Sequence, residues 1–229
     1  SLIAALLHAP AEPPYNKTLI GPADVELAQV RPDERQRTLM HGRIRELFPD
    51  YEADRYRVLL VNANASDLLP QRRWMPERFA AVIAQVLSQF PDVLTLMTGA
   101  PGEKEQAQFI CDLVADPRCV NSAGTFRFEE LVGLYSVASA MLSNDSGPPH
   151  FASITPLRTF VLFGPETPAL YGSLGNSEPI YAGLACSPCV SAFNHRKTSC
   201  TDNQCIKAIT VEDVAQRLER HFGQIAAAS

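Results

Sequence analysis

From Arg57 onward the chain repeats one unit, in which a short apolar run is followed by a polar loop and then a helix with one apolar face. Val58-Leu-Leu-Val61, Val93 to Met97, Arg118 to Asn121, Ala140 to Ser143 and Thr159 to Phe163 are short runs that suit buried strands. Pro76 opens a helix that places Phe79, Val82, Ile83, Val86, Leu87 and Phe90 on one side. Glu103 to Ala115 turns Ala107, Ile110 and Val114 inward, and Phe128 to Ala138 does the same with Leu131, Leu134 and Tyr135. Thr210-Val-Glu-Asp213 matches a capping pattern, with Asp for the usual Glu, and starts a last helix to about Phe222. Strands alternating with helices of this size predict an α/β fold with a parallel sheet covered on both faces. In such sheets ligands bind beyond the carboxyl ends of the strands. The loops that follow the strands are therefore the ones to inspect: Asn62–Met75, Thr98–Glu105, Asn121–Phe128, Asn144–His150 and Gly164–Tyr171.

Residues 1–55 read differently, as an N-terminal arm or interdomain linker preceding a domain over 56–229. Leu2 to Leu7 suit a short helix or strand, and Pro10, Pro13, Pro14 and Pro22 then interrupt regular structure. Pro32 to Phe48 predicts a helix, with Asp33 and Glu34 in its first turn and Leu39, Ile44, Leu47 and Phe48 apolar. The chain begins at Ser1, without an initiator Met or a basic leader, and is expected to be a piece of a longer protein.

Twenty Lys and Arg against 25 Asp and Glu leave a net charge of −5, which argues against a nucleic-acid partner. No apolar run approaches the roughly 20 residues of a membrane span. Of the six cysteines, Cys111 and Cys119 sit in periodic segments as small core residues, which fits a reducing, cytoplasmic setting.

Several loops carry candidate chemistry. Asn144-Asp-Ser-Gly-Pro-Pro-His150 follows a strand and leads into a helix expected over Pro149 to Ile154. Ser146 and Gly147 would offer backbone N–H groups to a phosphate there, and Asp145 would accept from sugar hydroxyls. The plainer reading is a turn with an N-cap, and a packed or capping role for His150. In Gln71-Arg-Arg-Trp-Met-Pro76, either Arg72 or Arg73 suits a phosphate, or the two are a solvated pair with Trp74 as packing anchor. Asn62, Asn64 and Ser66 precede them on the same loop. In Thr98-Gly-Ala-Pro-Gly-Glu-Lys-Glu105, Glu103 suits the two hydroxyls of a ribose, or complements the helix dipole. Phe163-Gly-Pro-Glu-Thr-Pro168 is either a pocket-opening turn or an ordinary βα turn.

Four cysteines cluster in the loop 186–205. Cys186-Ser-Pro-Cys189, with Cys200 and Cys205, has the pattern of a structural four-thiolate zinc site, with reduced thiols or local disulfides as the alternatives.

Taken together, these stretches resemble glycosyltransferase family 9, the ADP-heptose:lipopolysaccharide heptosyltransferase group. The resemblance is carried by Leu131 to His150, continuing to Pro156 and to Val161-Leu-Phe-Gly-Pro165. It extends to the strand, polar loop and basic-Trp-Pro segment of Val58 to Phe79, to Gly99 to Glu103, and to Cys-Ser-Pro-Cys. It implies the C-terminal half of a GT-B glycosyltransferase, a Rossmann-like donor-binding domain. Asp145, Ser146 and Gly147 would then meet the diphosphate and sugar, Arg72 would stand where the family has a phosphate-binding Lys, and Glu103 would bind the ribose. Asn144, His150 and Ser66 complete the implied donor set. The catalytic base belongs to the other domain, so no catalytic residue is expected in this chain. Arg at 72, the long loop Asn64–Gln71, Met75 between Trp74 and Pro76, and Pro149 beside Pro148 depart from the family pattern.

The resulting expectation is an inverting transfer of a heptose or related sugar from a nucleotide-diphospho-sugar. The acceptor would be lipopolysaccharide, another glycan or a lipid-linked glycan, with no cofactor required and work at the inner face of a membrane. The rival is a non-catalytic nucleotide-sugar-binding or interaction module that keeps the fold.

Overall fold

The computed structural model describes residues 27–228. The expectations for Leu2 to Leu7 and the prolines up to Pro22 lie outside those residues. Helix α1 (Glu34–Leu47) starts where the Pro-Asp-Glu signal places it. Asp33 caps it by accepting from the Gln36 N–H at 2.8 Å, while the Gln36 side chain accepts from the Asp33 N–H at 3.0 Å. The repeating units follow as β1 (Arg57–Asn62), α2 (Pro76–Gln89), β2 (Val93–Met97), α3 (Lys104–Val114), β3 (Cys119–Asn121), α4 (Leu131–Val137), β4 (Ala140–Asn144), α5 (Gly147–Ala152) and β5 (Arg158–Phe163). After these come α6 (Pro168–Tyr171), β6 (Ser177–Tyr181), α7 (Gln204–Lys207) and α8 (Val211–Ala228).

All strand pairs are parallel, and the sheet order is β3-β2-β1-β4-β5-β6. This is a doubly wound, Rossmann-like sheet. The two faces sort the strand residues by their period of two. Leu59, Val61, Val93 and Met97 join one core, with Phe79, Val82, Ile83 and Val86 of α2 and Val214, Leu218 and Phe222 of α8. Val58, Leu60, Leu94 and Leu96 join the other, with Leu134 and Tyr135 of α4. That second core also takes Met40, Ile44 and Tyr51, all at most 2% exposed. The helix of the expected arm is thus part of the domain's own packing.

Strand β6 was absent from the reading of the sequence. Its Ser-Glu-Pro-Ile-Tyr has little apolar signal because it is an edge strand. Pro179 is tolerated there, where one side has no ladder to complete. The last helix also runs beyond Phe222, to Ala228. The motif helix spans Gly147–Ala152 rather than Pro149 to Ile154.

Candidate functional site

The strand order reverses between β1 and β4, so the loops leaving their carboxyl ends diverge and leave a crevice. Two cavities lie there. The larger, about 450 Å³, is lined by polar residues of the β1 and β2 loops, including Asn62, Asn64, Thr98 and Glu103, and by Phe126, Phe128, Leu131 and Tyr135. The smaller, about 260 Å³, is lined by Arg72, Asp145, His150, Glu166, Tyr171 and Arg196. Ser66, Ser146 and Gly147 line both and join them.

The loops are held by buried anchors. Asn144 was expected among the donor-binding residues, but its amide is engaged at both ends: Oδ1 accepts from the Trp74 N–H at 3.0 Å, and Nδ2 donates to the Ala63 carbonyl at 2.8 Å. It is fully buried and lines neither cavity, so it pins the β1 loop to β4. Trp74 in turn donates through Nε1 to the Ile209 carbonyl at 3.0 Å and sets its ring edge-on to Phe79. The basic pair divides its work. Arg73 folds back to donate to the Ala65 carbonyl, at 2.7 Å from Nη2, and pairs with Asp67, so it stiffens the loop. Arg72 points into the crevice.

Arg72 is the centre of a buried charge cluster. Its Nη1 lies 3.7 Å from Asp145 Oδ2 and 3.4 Å from Glu166 Oε2, and its side chain is 14% exposed. Arg196 Nε reaches Glu166 Oε1 at 3.5 Å from the rim, where the guanidinium stands over the Tyr171 ring. Arg72 Nε, Asp145 Oδ2 and Glu166 Oε1 are buried and have no hydrogen-bond partner among the described residues. Burial pushes the Asp145 carboxyl up from 3.8 to about 7. Arg72 opposes the rise and Glu166 adds to it. His150 is held below its ordinary value by burial and by Arg72, and its Nδ1 lies 3.4 Å from Ser173 Oγ.

The Asp145 shift has a consequence for stability. Between about pH 4 and pH 7 the folded chain keeps a proton on Asp145 that the unfolded chain has released. Stability from this group is therefore full below the unfolded value and is lost as pH rises through about 7. Wild type is expected to lose several degrees of melting temperature relative to Asp145→Asn between pH 5 and pH 8. A difference that stays flat across that range would contradict the placement.

The motif loop offers less to an anion than its sequence promised. Ser146 is the N-cap of α5 but makes no side-chain cap, its Oγ donating to the Asn144 carbonyl at 3.1 Å. Pro148 and Pro149 follow Gly147, so two of the N–H groups a helix start would present are missing. Ser146 and Gly147 remain the donors, and the positive charge comes from Arg72. A Cβ on Gly147 would meet nothing nearer than Phe151 at 3.4 Å, so the protein's own packing does not demand a glycine there. Glu103 Oε2 accepts from the Ala100 N–H at 2.6 Å, and the side chain also lines the larger cavity. A Cβ on Gly99 would fall 2.9 Å from that same oxygen, which explains the glycine.

The cysteine loop is docked on the site from outside. Cys189 and Val190 N–H groups donate to the Pro165 carbonyl at 3.0 and 3.1 Å, and this docking carries Arg196 to Glu166. The four thiols are free, with Cys186 exposed and Cys205 buried. Burial raises the Cys205 thiol, and Cys189, Cys200 and Cys186 lie near enough to add to the rise. The thiols are engaged singly: Asn203 N–H donates to Cys200 Sγ at 3.3 Å, and Thr198 Oγ1 approaches Cys189 Sγ at 3.5 Å. Among the described residues no three His, Cys, Asp or Glu are arranged to hold a metal ion, so the thiols as placed do not form the expected zinc set.

Glu166 and Tyr171 lie in the Gly164–Tyr171 loop that the sequence singles out but carry no assigned role there, and Arg196 lies outside every loop inspected for the donor. Glu166 had a usable signal. It follows a Gly-Pro turn at the carboxyl end of the strand after the motif strand, and neighbouring strands would set it beside Asp145. Nothing in the sequence pointed to Arg196.

The family model for glycosyltransferase family 9 (heptosyltransferase) matches residues 24–199. Among solved structures the chain is similar to ADP-heptose LPS heptosyltransferase II of E. coli, at 18% identity and TM-score 0.66, over 86% of this chain and 54% of that one. It is similar to a family 9 glycosyl transferase from Veillonella parvula DSM 2008, at 19% identity and TM-score 0.65, over 86% and 54%. It is also similar to E. coli heptosyltransferase WaaC with ADP, at 18% identity and TM-score 0.54, over 77% and 48%. The chain spans about half the length of these structures, and at these identities the likeness is one of fold. No curated protein matches the sequence.

Proposed function

Because this chain belongs to glycosyltransferase family 9, we propose that it holds the nucleotide-sugar donor of a glycosyl transfer, with the nucleoside in the larger cavity and the diphosphate and sugar in the smaller. The observation that carries this reading is the pair of cavities joined through Ser66, Ser146 and Gly147 at the point where the strand order reverses. A nucleoside needs apolar walls for its base and an acceptor for its ribose. Phe126, Phe128 and Leu131 provide the first and Glu103 the second. A diphosphate needs a cation in low dielectric, and Arg72 stands at the adjoining cavity.

In the proposed inverting reaction, an acceptor hydroxyl oxygen bonds to the anomeric carbon. The bond from that carbon to the diphosphate oxygen breaks, its electron pair leaves with the nucleoside diphosphate, and the hydroxyl proton passes to a base that we place outside this chain. Arg72 and the N–H groups of Ser146 and Gly147 stabilise the charge that develops on the diphosphate. By analogy with the E. coli ADP-heptose LPS heptosyltransferase II, the proposed donor carries a heptose or related sugar and the proposed acceptor is lipopolysaccharide or another glycan. No described helix is long and apolar enough to cross a membrane, and a lipid-linked acceptor would place the work at the inner face of one.

Calorimetric titration with ADP, UDP and GDP and their diphospho-sugars tests the donor reading. Saturable binding of one base series is expected, weakened by about 10- to 100-fold in Glu103→Ala through loss of a charged hydrogen bond to the ribose. A chain that binds none of them overturns the reading and leaves the non-catalytic module.

A further inference from the structure

Glu166 is a buried carboxylate that caps no helix. It sits at the carboxyl end of β5, just past the Gly164-Pro165 turn, and is 1% exposed. Thr167, not Glu166, caps α6, its Oγ1 accepting from the Ala169 N–H at 3.3 Å. The side chain instead lines the smaller cavity, where Arg72 Nη1 lies 3.4 Å from its Oε2. The other oxygen, Oε1, is buried with no hydrogen-bond partner, because Arg196 Nε stands off at 3.5 Å. Asp145, 3% exposed on the neighbouring strand end, turns its Oδ2 to the same cavity, where it lies beside the Glu166 carboxyl, with which it shares a hydrogen bond when protonated. A buried acceptor without a donor is costly, and a glutamine or an apolar residue would serve packing better. Two carboxylates on one cavity wall call for a ligand rich in O–H or N–H groups.

We propose that Glu166 is a donor-sugar-selecting residue: its free oxygen accepts from a hydroxyl of the sugar and, together with Asp145, it turns away sugars that carry an acid group. The inference rests on the donor reading above and adds to it the chemical class of the sugar. A neutral polyol satisfies both carboxylates. The carboxylate of a uronic acid has no proton to donate to Glu166, and above about pH 7, where Asp145 is ionised as well, it would bring another negative charge against two carboxylates. Arg72 is shared between the two carboxylates and the diphosphate, and Arg196, 52% exposed at the rim, is open to water and offsets the repulsion only weakly.

The test compares ADP, ADP-heptose and ADP-glucuronate on the chain and on Glu166→Gln by calorimetry, with UDP, UDP-glucose and UDP-glucuronate as the set if uridine is the base that binds. The ratio of sugar-nucleotide to bare-nucleotide affinity isolates the sugar. In wild type the neutral sugar is expected to raise affinity by about tenfold over the bare nucleotide, with the acidic sugar about tenfold weaker than the neutral one. In Glu166→Gln both ratios are expected to fall to within about threefold of unity. If the chain binds bare nucleotide but Glu166→Gln leaves the ratios unchanged, the inference is wrong and the donor reading survives. If the chain binds no nucleotide, both fall. Should Glu166→Gln fail to fold, wild type alone decides: equal affinity for the neutral and acidic sugar nucleotides overturns the selection.

Discussion

Arg72→Ala is expected to lower stability by about 3–5 kcal/mol at pH 8 and to weaken nucleoside-diphosphate binding by at least about 100-fold. Both effects have one cause. The guanidinium is the innermost cation facing Asp145 and Glu166, which are 3% and 1% exposed, and without it two carboxylates are left buried and unpaired. Arg196 does not replace it. That side chain is 52% exposed and reaches only the outer oxygen of Glu166. For a domain of this size the loss corresponds to a melting temperature lower by roughly 10 °C. The cost should shrink at pH 5, where Asp145 takes up a proton, because its carboxyl is raised to about 7 even with Arg72 present. Adding Glu166→Gln to Arg72→Ala should recover part of the stability but not the nucleotide affinity, since only the first depends on the stranded charge. Thermal melts at two pH values with parallel titrations check this. An Arg72→Ala chain that melts within about 2 °C of wild type at pH 8 would mean that the three side chains are not coupled as the geometry has them.

Trp74→Ala is expected to cost about 3–5 kcal/mol, the range for deleting a large buried aromatic. The indole is 1% exposed, packs edge-on to Phe79 at 5.1 Å between ring centroids, and ties the loop after β1 to the segment before α8 through Ile209. Its removal leaves a cavity between α2 and the last helix. It also loosens the loop that holds Arg72, two residues away, so nucleotide affinity should fall with stability. Trp74→Phe keeps most of the packing and loses the indole N–H, and a loss of about 1–2 kcal/mol is expected. Circular-dichroism melts are the suitable readout, because Trp74 is the sole tryptophan and its fluorescence disappears with it. Equal losses in the two variants would assign the effect to the hydrogen bond rather than to the ring.

The two cases differ in how much of them was legible beforehand. Trp74 as a packing anchor is visible in the sequence, because a lone Trp just before a Pro-initiated helix has few other roles. The Arg72 cluster is not. Arg72 and Arg73 are adjacent and chemically identical, and only the backbone path decides that Arg73 turns back to Ala65 and Asp67 while Arg72 turns inward. Asn144 shows the same limit from the other side. A polar residue beside Asp145 reads as a ligand group, yet the structure uses both ends of its amide to hold Trp74 and Ala63.

The architecture and the place of the site are both legible in local sequence pattern. Strand and helix periodicities are properties of neighbouring residues, so the alternation from Arg57 onward needs no long-range knowledge, and parallel βα units oblige the loops at the strand ends to carry the ligand. All five of those loops do contribute to the two cavities. The tertiary structure alone decided the chemistry at that place. Arg72 and Glu166 are 94 positions apart and meet only because β4 and β5 lie in sequence beside β1 in the sheet. Arg196 arrives on a loop anchored to the Pro165 carbonyl, and β6 closes the edge with residues that carry almost no strand signal. Charges separated that far along the chain have no mutual periodicity to betray them. Their pairing, and the pKa it shifts, exist only once the sheet has fixed which loops face one another.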